Sequence, residues 1–123
     1  MAPKILIVDD EPELRTALRV RLAASGFVCE TAANGREALA LLERWTPDLI
    51  VADLLMPEMD GYMFCREVRA RQRLAALPIV VLSAVPRHAI ARKGDLQADC
   101  VMNKPFDSGE LLAAIRELLS VET

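Results

Sequence analysis

Five residues able to do phosphoryl and metal chemistry stand at the ends of short apolar runs. "KILIVDD" ends in Asp9 and Asp10, "DLIVAD" in Asp53, "PIVVLS" in Ser83, and "CVMNK" in Lys104. An apolar run that favours burial needs a chemical reason to finish in a carboxylate. Three carboxylates brought into one shallow pocket repel each other, and their pKa values rise unless a cation joins them. A hard divalent ion suits such oxygen ligands, and Mg²⁺ takes one or two carboxylates, several waters and phosphate oxygens in preference to an all-protein cage. A metal site of this kind is half filled until a phosphoryl group arrives. Lys104 and the Ser83 hydroxyl then supply a point charge and a donor for the phosphoryl oxygens. Asp53 is placed as the nucleophile, with Mg²⁺ and Lys104 offsetting the repulsion between its charge and that of the phosphoryl group.

The five meet only if the elements behind them bring them together. "KILIV" (Lys4–Val8), "FVCETA" (Phe27–Ala32), "DLIVAD" (Asp48–Asp53), "PIVVLS" (Pro78–Ser83) and "CVMN" (Cys100–Asn103) are short, rich in β-branched residues and, in three cases, nearly continuously apolar. Strands buried on both faces of a parallel sheet read this way. Helical stretches lie between them. Pro12 fits a first helical position, Leu14, Ala17, Leu18 and Leu22 share a face, and Gly26 stops the run. Ala38, Leu41, Leu42 and Trp45 follow the same spacing up to Pro47. A third helix from about Gly61 to Arg73 buries Phe64 and Val68. The last opens with Asp107 three residues before Glu110, a capping-box-like pair, and aligns Leu111, Ile115 and Leu118. A fourth helix, in "VPRHAIARKGDLQ" (Val85–Gln97), has the weakest stripe, mainly Ile90, and is expected to be short. Five such units specify an α/β fold: one doubly wound five-stranded parallel sheet, order 2-1-3-4-5, flanked by five helices. Ligands of such sheets sit beyond the C-terminal strand ends where the order reverses, between strands one and three. The five residues above stand at those ends.

Composition narrows the function classes. The 123 residues make one domain, 53% hydrophobic and only 4% aromatic, so the core is built from Leu, Val, Ile and Ala. A net charge of −3, from 15 basic and 18 acidic residues, speaks against nucleic-acid binding through the chain's own surface. The run Ile5–Val8 is far too short for a signal sequence or a membrane span, which points to the cytoplasm. Cys29, Cys65 and Cys100 have no metal-ligand or CxxC spacing and read as small buried hydrophobes.

In this order and spacing, "ILIVDDEP", "DLLMPEMDG", "VVLSA" and "NKPF" closely resemble the receiver domain of two-component response regulators, over essentially the whole chain. The resemblance implies the flavodoxin-like receiver fold over residues 1–123 and a phosphoacceptor switch with no enzymatic turnover beyond its own phosphorylation and dephosphorylation. Asp53 matches the residue that takes a phosphoryl group from a sensor histidine kinase or phosphotransfer protein. Asp10 matches the direct Mg²⁺ ligand, Asp9 one that acts through water, and the Leu55 carbonyl a third protein contact. Ser83 matches the switch hydroxyl and Lys104 the phosphate-binding lysine. Pro57 and Gly61 match the turn after the acceptor, and Pro105 a proline reached through a cis bond. Added charge at Asp53 is then expected to bias a conformational equilibrium read by a downstream effector protein. The expected output face, also a candidate homodimer surface, joins the fourth helix, fifth strand and last helix, with Arg87, Arg92, Lys93 and Glu110 exposed. From Met1 to "LLSVET" no attached effector is expected, so its effects are expected to pass through a partner.

Departures from the family pattern carry their own expectations. Val101 occupies the position, three before the lysine, where the family usually has Tyr or Phe swinging inward when the hydroxyl moves. Gln97 stands where a Gly often begins the last strand. Leu55 and Val85 lie two residues beyond acceptor and hydroxyl, where many members carry polar groups that orient the attacking water, so self-dephosphorylation is expected to be slow.

Plainer readings compete for single residues. Asp9 and Asp10 alone would pass for acids favoured by a helix dipole. Glu11 reads as an exposed first-turn residue, Asp60 as a helix cap, His88 as a solvated surface residue, and Tyr62 and Trp45 as packing residues. A phosphatase with an aspartate nucleophile would need a second Asp where Leu55 stands. The five glycines never cluster into a phosphate loop. A receiver-like interaction module that works without phosphorylation is the remaining alternative, kept open by Val101.

Overall fold

The computed structural model describes residues 2–85 and 96–120. Its elements run β1 (Lys4–Val8), α1 (Pro12–Ala24), β2 (Val28–Ala32), α2 (Gly35–Leu42), β3 (Leu49–Asp53), α3 (Gly61–Arg69), a 3₁₀ turn (Gln72–Leu74), β4 (Ile79–Ser83), β5 (Cys100–Asn103) and α4 (Ser108–Leu119). The strands form one parallel sheet in the order β2-β1-β3-β4-β5.

Side chains alternate across the sheet, which divides the core in two. Leu6, Val8, Ile50, Ala52, Ile79 and Val81 face Ala38 and Leu42 of α2 and Phe64, Cys65 and Val68 of α3. Ile5, Ile7, Leu49, Val51, Val80 and Leu82 face Leu18 and Leu22 of α1 and Leu111 and Ile115 of α4. Both faces of β1, β3 and β4 are therefore covered, and their apolar runs are continuous for that reason. β2 is an edge strand whose residues alternate between exposed and half-buried until Ala32, so its sequence looks weaker.

Helix ends follow local chemistry. Pro12 opens α1, and Gly26 closes it with φ +99°, a left-handed conformation that glycine adopts without a Cβ clash. Of the expected α1 face, Leu18 and Leu22 are buried, Leu14 is half-buried and Ala17 is exposed. Asn34 caps α2 by accepting from the Glu37 amide at 2.9 Å, and Asp60 caps α3 by accepting from the Met63 amide at 2.9 Å. Asp107 caps α4 through the Gly109 amide at 3.1 Å, a simpler cap than the expected box.

Two helices stop earlier than their apolar spacing suggests. α2 ends at Leu42 rather than continuing toward Pro47, and Trp45 packs on the core from the loop. The Arg73 guanidinium donates to the Leu42 carbonyl and to the Thr46 hydroxyl, giving the helix end partners that continued helix would otherwise supply. α3 ends at Arg69, and a 3₁₀ turn with buried Leu74 replaces its expected last turn. Four α-helices are found among the described residues rather than five. The remaining one was expected over Val85–Gln97; Val85, Leu96 and Gln97 are not helical, and its centre, with Ile90, falls on 86–95, outside the described residues. Arg87, His88, Arg92 and Lys93 lie there too. Cys65 is buried, and burial pushes its thiol up to about 11, whereas Cys29 and Cys100 are half-buried rather than fully enclosed.

Candidate functional site

Strand register assembles the site. Val8 lies beside Ala52, so the residues that follow, Asp9 and Asp53, leave the sheet side by side. Asp53 itself is opposite Leu82, and Ser83 opposite Asn103, which sets Lys104 at the same edge. The β1–β3 junction is the place where strand order reverses. Asp9 and Asp53 are buried and Asp10 is exposed, and one carboxylate oxygen from each lies within 4.8 Å of the others.

Lys104 answers that concentration of charge. Its Nζ stands 3.4 Å from Asp9 Oδ2, 3.4 Å from Asp53 Oδ2 and 3.4 Å from Glu11 Oε1. Glu11 is exposed as expected, yet it is an ion-pair partner of the lysine and not merely a first-turn acid. Burial raises the Asp53 pKa above its ordinary 3.8 and Asp9 adds to the rise, while Lys104 and the Leu55 amide pull it down. Burial works against the Lys104 ammonium, but Asp53 and Asp9 together outweigh it and hold its pKa above the usual value. Ammonium and carboxylates therefore hold each other in place. Asp9 also anchors the start of α1, accepting from the Glu11 amide at 2.8 Å while its carbonyl accepts from Arg15 at 2.7 Å.

The loop after β3 is tightly turned. The Gly61 amide donates to the Leu54 carbonyl at 2.6 Å, and a Cβ on Gly61 would lie 2.9 Å from Leu54 Cα, so only glycine fits. The Met59 amide donates to Pro57 at 2.7 Å, and Glu58 takes φ +68°. Leu55, whose amide donates to the Asp53 carboxylate, carries a side chain that is 57% exposed. The Lys104–Pro105 peptide is cis.

Ser83 is fully buried, and its hydroxyl is engaged with Val85: it accepts from the Val85 amide at 2.9 Å and donates to the Val85 carbonyl at 3.2 Å. Asn103 donates to the same carbonyl at 2.7 Å. Sequence reasoning missed Asn103 and Glu11, although both adjoin residues it singled out. It also missed Arg69, which donates to the Leu77 carbonyl at 2.5 Å, the Gln97 carbonyl at 3.2 Å and Asp99 at 3.0 Å, tying α3 to the start of β5. No sequence signal pairs residues so far apart.

A parallel sheet in this order with an acid pocket at its switch point is a doubly wound α/β domain with its polar groups where such folds bind ligands, and residues 5–116 match the response regulator receiver domain family. The chain belongs to that family. It is 36% identical over 118 residues to the DNA-binding dual master transcriptional regulator RpaA of Synechocystis sp., covering 95% of this chain and 49% of RpaA. The chain spans about half the length of the curated relatives it matches. Among solved structures it resembles the signal receiver domain of a signal transduction histidine kinase from Syntrophus aciditrophicus, with a TM-score of 0.92 at 36% identity over 98% of this chain and 93% of that one. It also resembles the response regulator TrrA of Thermotoga maritima, solved in complex with Mg²⁺-BeF, with a TM-score of 0.84 at 31% identity over 96% and 99% of the two chains. No helix among the described residues is long and apolar enough to cross a membrane.

Proposed function

We propose that residues 1–123 form one receiver domain in which Asp53 accepts a phosphoryl group from the phosphohistidine of a sensor kinase or phosphotransfer protein. The observation that carries this is the buried Asp53 carboxylate, packed against Asp9 and 3.4 Å from Lys104 at the sheet's switch point. An Asp53 oxygen attacks phosphorus, the P–O bond forms as the donor's P–N bond breaks, and the leaving imidazole nitrogen keeps the electron pair and takes a proton. Lys104 is positioned to meet a phosphoryl oxygen once it gives up its carboxylates, and Ser83 to donate to another once it releases Val85.

The clustered oxygens of Asp9, Asp10 and Asp53 are hard donors suited to Mg²⁺, and with the Leu55 carbonyl they would hold the ion, Asp9 through water and the remaining positions left to waters and phosphoryl oxygens. When bound, Mg²⁺ supplies charge neutralisation at the phosphoryl oxygens. The protein catalyses only its own phosphorylation and dephosphorylation. In this reading it is a cytoplasmic switch, without membrane or direct nucleic-acid contact, that controls a downstream effector protein. DNA binding belongs to RpaA's name and to a protein about twice as long. The net charge of −3 weighs against direct DNA contact by this chain, and the face joining the expected fourth helix, β5 and α4 is the candidate homodimer surface.

Intact-mass measurement after incubation with acetyl phosphate and Mg²⁺ tests the reading. One phosphoryl adduct is expected on the native chain, none without Mg²⁺ and none on Asp53→Ala. An adduct that survives Asp53→Ala would refute the assignment. No adduct on a chain that binds Mg²⁺ would leave an interaction module that works without phosphorylation.

A further inference from the structure

The reading of Asp53 as phosphoacceptor requires the Ser83 hydroxyl to reach the phosphoryl group, yet in this structure that hydroxyl is committed elsewhere. It closes a two-way bond with the backbone of Val85, accepting at 2.9 Å and donating at 3.2 Å. Neither bond alone fixes the segment after β4, because a serine side chain rotates freely between staggered positions. A third bond does so from a different strand. Asn103, the β5 partner of Ser83 in the sheet, donates its Nδ2 to the Val85 carbonyl at 2.7 Å, shorter and from a side chain rooted in the ladder. The same Nδ2 lies 3.5 Å from the Ser83 carbonyl, so Asn103 spans the turn from its first residue to its third. It also immediately precedes Lys104, so the group holding the Ser83 turn and the group awaiting the phosphoryl oxygens share one short piece of backbone.

Resting on the phosphoacceptor reading, we propose that Asn103 is a positioning residue that pins Val85 to β5 and so keeps the Ser83 hydroxyl occupied with Val85 until Asp53 is phosphorylated. The half-buried Val85 carbonyl accepts from both Ser83 and Asn103. When Ser83 turns to the phosphoryl group, Val85 loses the hydroxyl as acceptor for its amide and as donor to its carbonyl. The segment can follow Ser83 only by giving up the Asn103 bond as well. That bond therefore stabilises the arrangement in which Ser83 is engaged with Val85 relative to the one in which it is released. A side chain to backbone bond of this kind shifts such an equilibrium roughly three- to tenfold. With Val101 at the position where an aromatic side chain is common, Asn103 is, among the described residues, a β5 side chain bonded to Val85, and the state of Ser83 is transmitted through it.

The test uses beryllofluoride, which with Mg²⁺ mimics the phosphoryl group, on the native chain, Asn103→Leu and Asn103→Gln. Titrations follow the Val85 amide signal by NMR, and the affinity for Mg²⁺ alone is measured for each protein. Asn103→Leu is expected to bind beryllofluoride roughly three- to tenfold tighter, with Mg²⁺ affinity unchanged and the free-state Val85 amide displaced. Asn103→Gln, which keeps a donor amide, is expected to recover much of the native affinity. Should Asn103→Leu not fold, Asn103→Ser, too short to reach Val85, carries the same expectation. Beryllofluoride affinity that is unchanged or weaker in the variants, with native binding intact, overturns the role of Asn103 and leaves the phosphoacceptor reading standing. A native chain that binds Mg²⁺ but not beryllofluoride overturns both.

Discussion

Lys104 decides the resting state of the pocket, because one ammonium at 3.4 Å from Asp9, Asp53 and Glu11 is the cation available to that cluster among the described residues. Even so, burial wins at Asp53 and its pKa is raised. For an acid whose folded pKa lies above its unfolded value, stability is fullest at pH below the unfolded value and declines as pH rises through the folded one. Asp53→Asn removes that burden while Lys104 keeps Asp9 and Glu11. Without Mg²⁺, Asp53→Asn is therefore expected to be more stable than the native chain at pH 7, by on the order of 1 kcal/mol. Urea denaturation across pH should show the gap closing as pH falls through the raised Asp53 pKa and toward 3.8. A gap that persists there would mean packing, not charge, is responsible. Leu55 governs a different property of the same residue. It is largely exposed and its side chain cannot hydrogen-bond a water, so with Asp53 as the proposed phosphoacceptor it would leave the attack on the aspartyl phosphate unassisted from its side. Leu55→Asn is expected to shorten the lifetime of the phosphorylated form about tenfold, read as decay of the mass adduct, since one well-placed hydrogen bond is worth about that much in rate. A lifetime already short in the native chain and unmoved by this change would show that water reaches phosphorus by another path.

At the scale of elements, the turn between β3 and α3 is where backbone geometry is least forgiving. Gly61 opens α3 against Leu54, and Asp60 caps the same helix end. Gly61→Ala would place a methyl 2.9 Å from the Leu54 backbone, so a loss of about 1–3 kcal/mol is expected in urea denaturation, larger than the ~1 kcal/mol for Asp60→Ala. Equal losses would mean the loop yields without strain. This turn was legible in the sequence because Pro57, Asp60 and Gly61 each carry a local conformational signal, and the strands were legible because β1, β3 and β4 are buried on both faces. The ends of α2 and α3 were not. The apolar spacing of Leu41 and Trp45 extends past Leu42, and the carbonyl at the observed helix end is taken up by Arg73, a residue of the following β–α unit reaching back to it. "RARQR" reads only as charge until the fold assigns Arg69 to Asp99, Arg71 to Glu43 and Glu67, and Arg73 to Leu42. Likewise Ser83 was identifiable as a strand-end hydroxyl, but its bonds to Val85 depend on how the following turn closes.

On the scale of the whole molecule, sheet order turns four separated motifs into one electrostatic object. Asp9 and Asp10 come from β1, Asp53 from β3 and Lys104 from the end of β5, so the charges at the switch point join strands that are far apart in sequence. A cation bound there ties these strands together only in the folded chain, because the unfolded chain holds the carboxylates apart. Binding to the native state alone stabilises it by about 2.7 kcal/mol at a ligand concentration one hundred times the dissociation constant. Saturating Mg²⁺ is therefore expected to raise the thermal midpoint by roughly 10 °C at pH 7, at several °C for each kcal/mol in a domain of this size. Asp10→Asn should remove most of that gain while barely changing the metal-free midpoint, since Asp10 is exposed. The gain also depends on ionised carboxylates, so it should fade as pH drops through the raised Asp53 pKa, the same range in which the stability advantage of Asp53→Asn vanishes. A midpoint indifferent to Mg²⁺ at pH 7, or a gain that survives Asp10→Asn intact, would place the ion elsewhere and strip the three aspartates of their shared purpose.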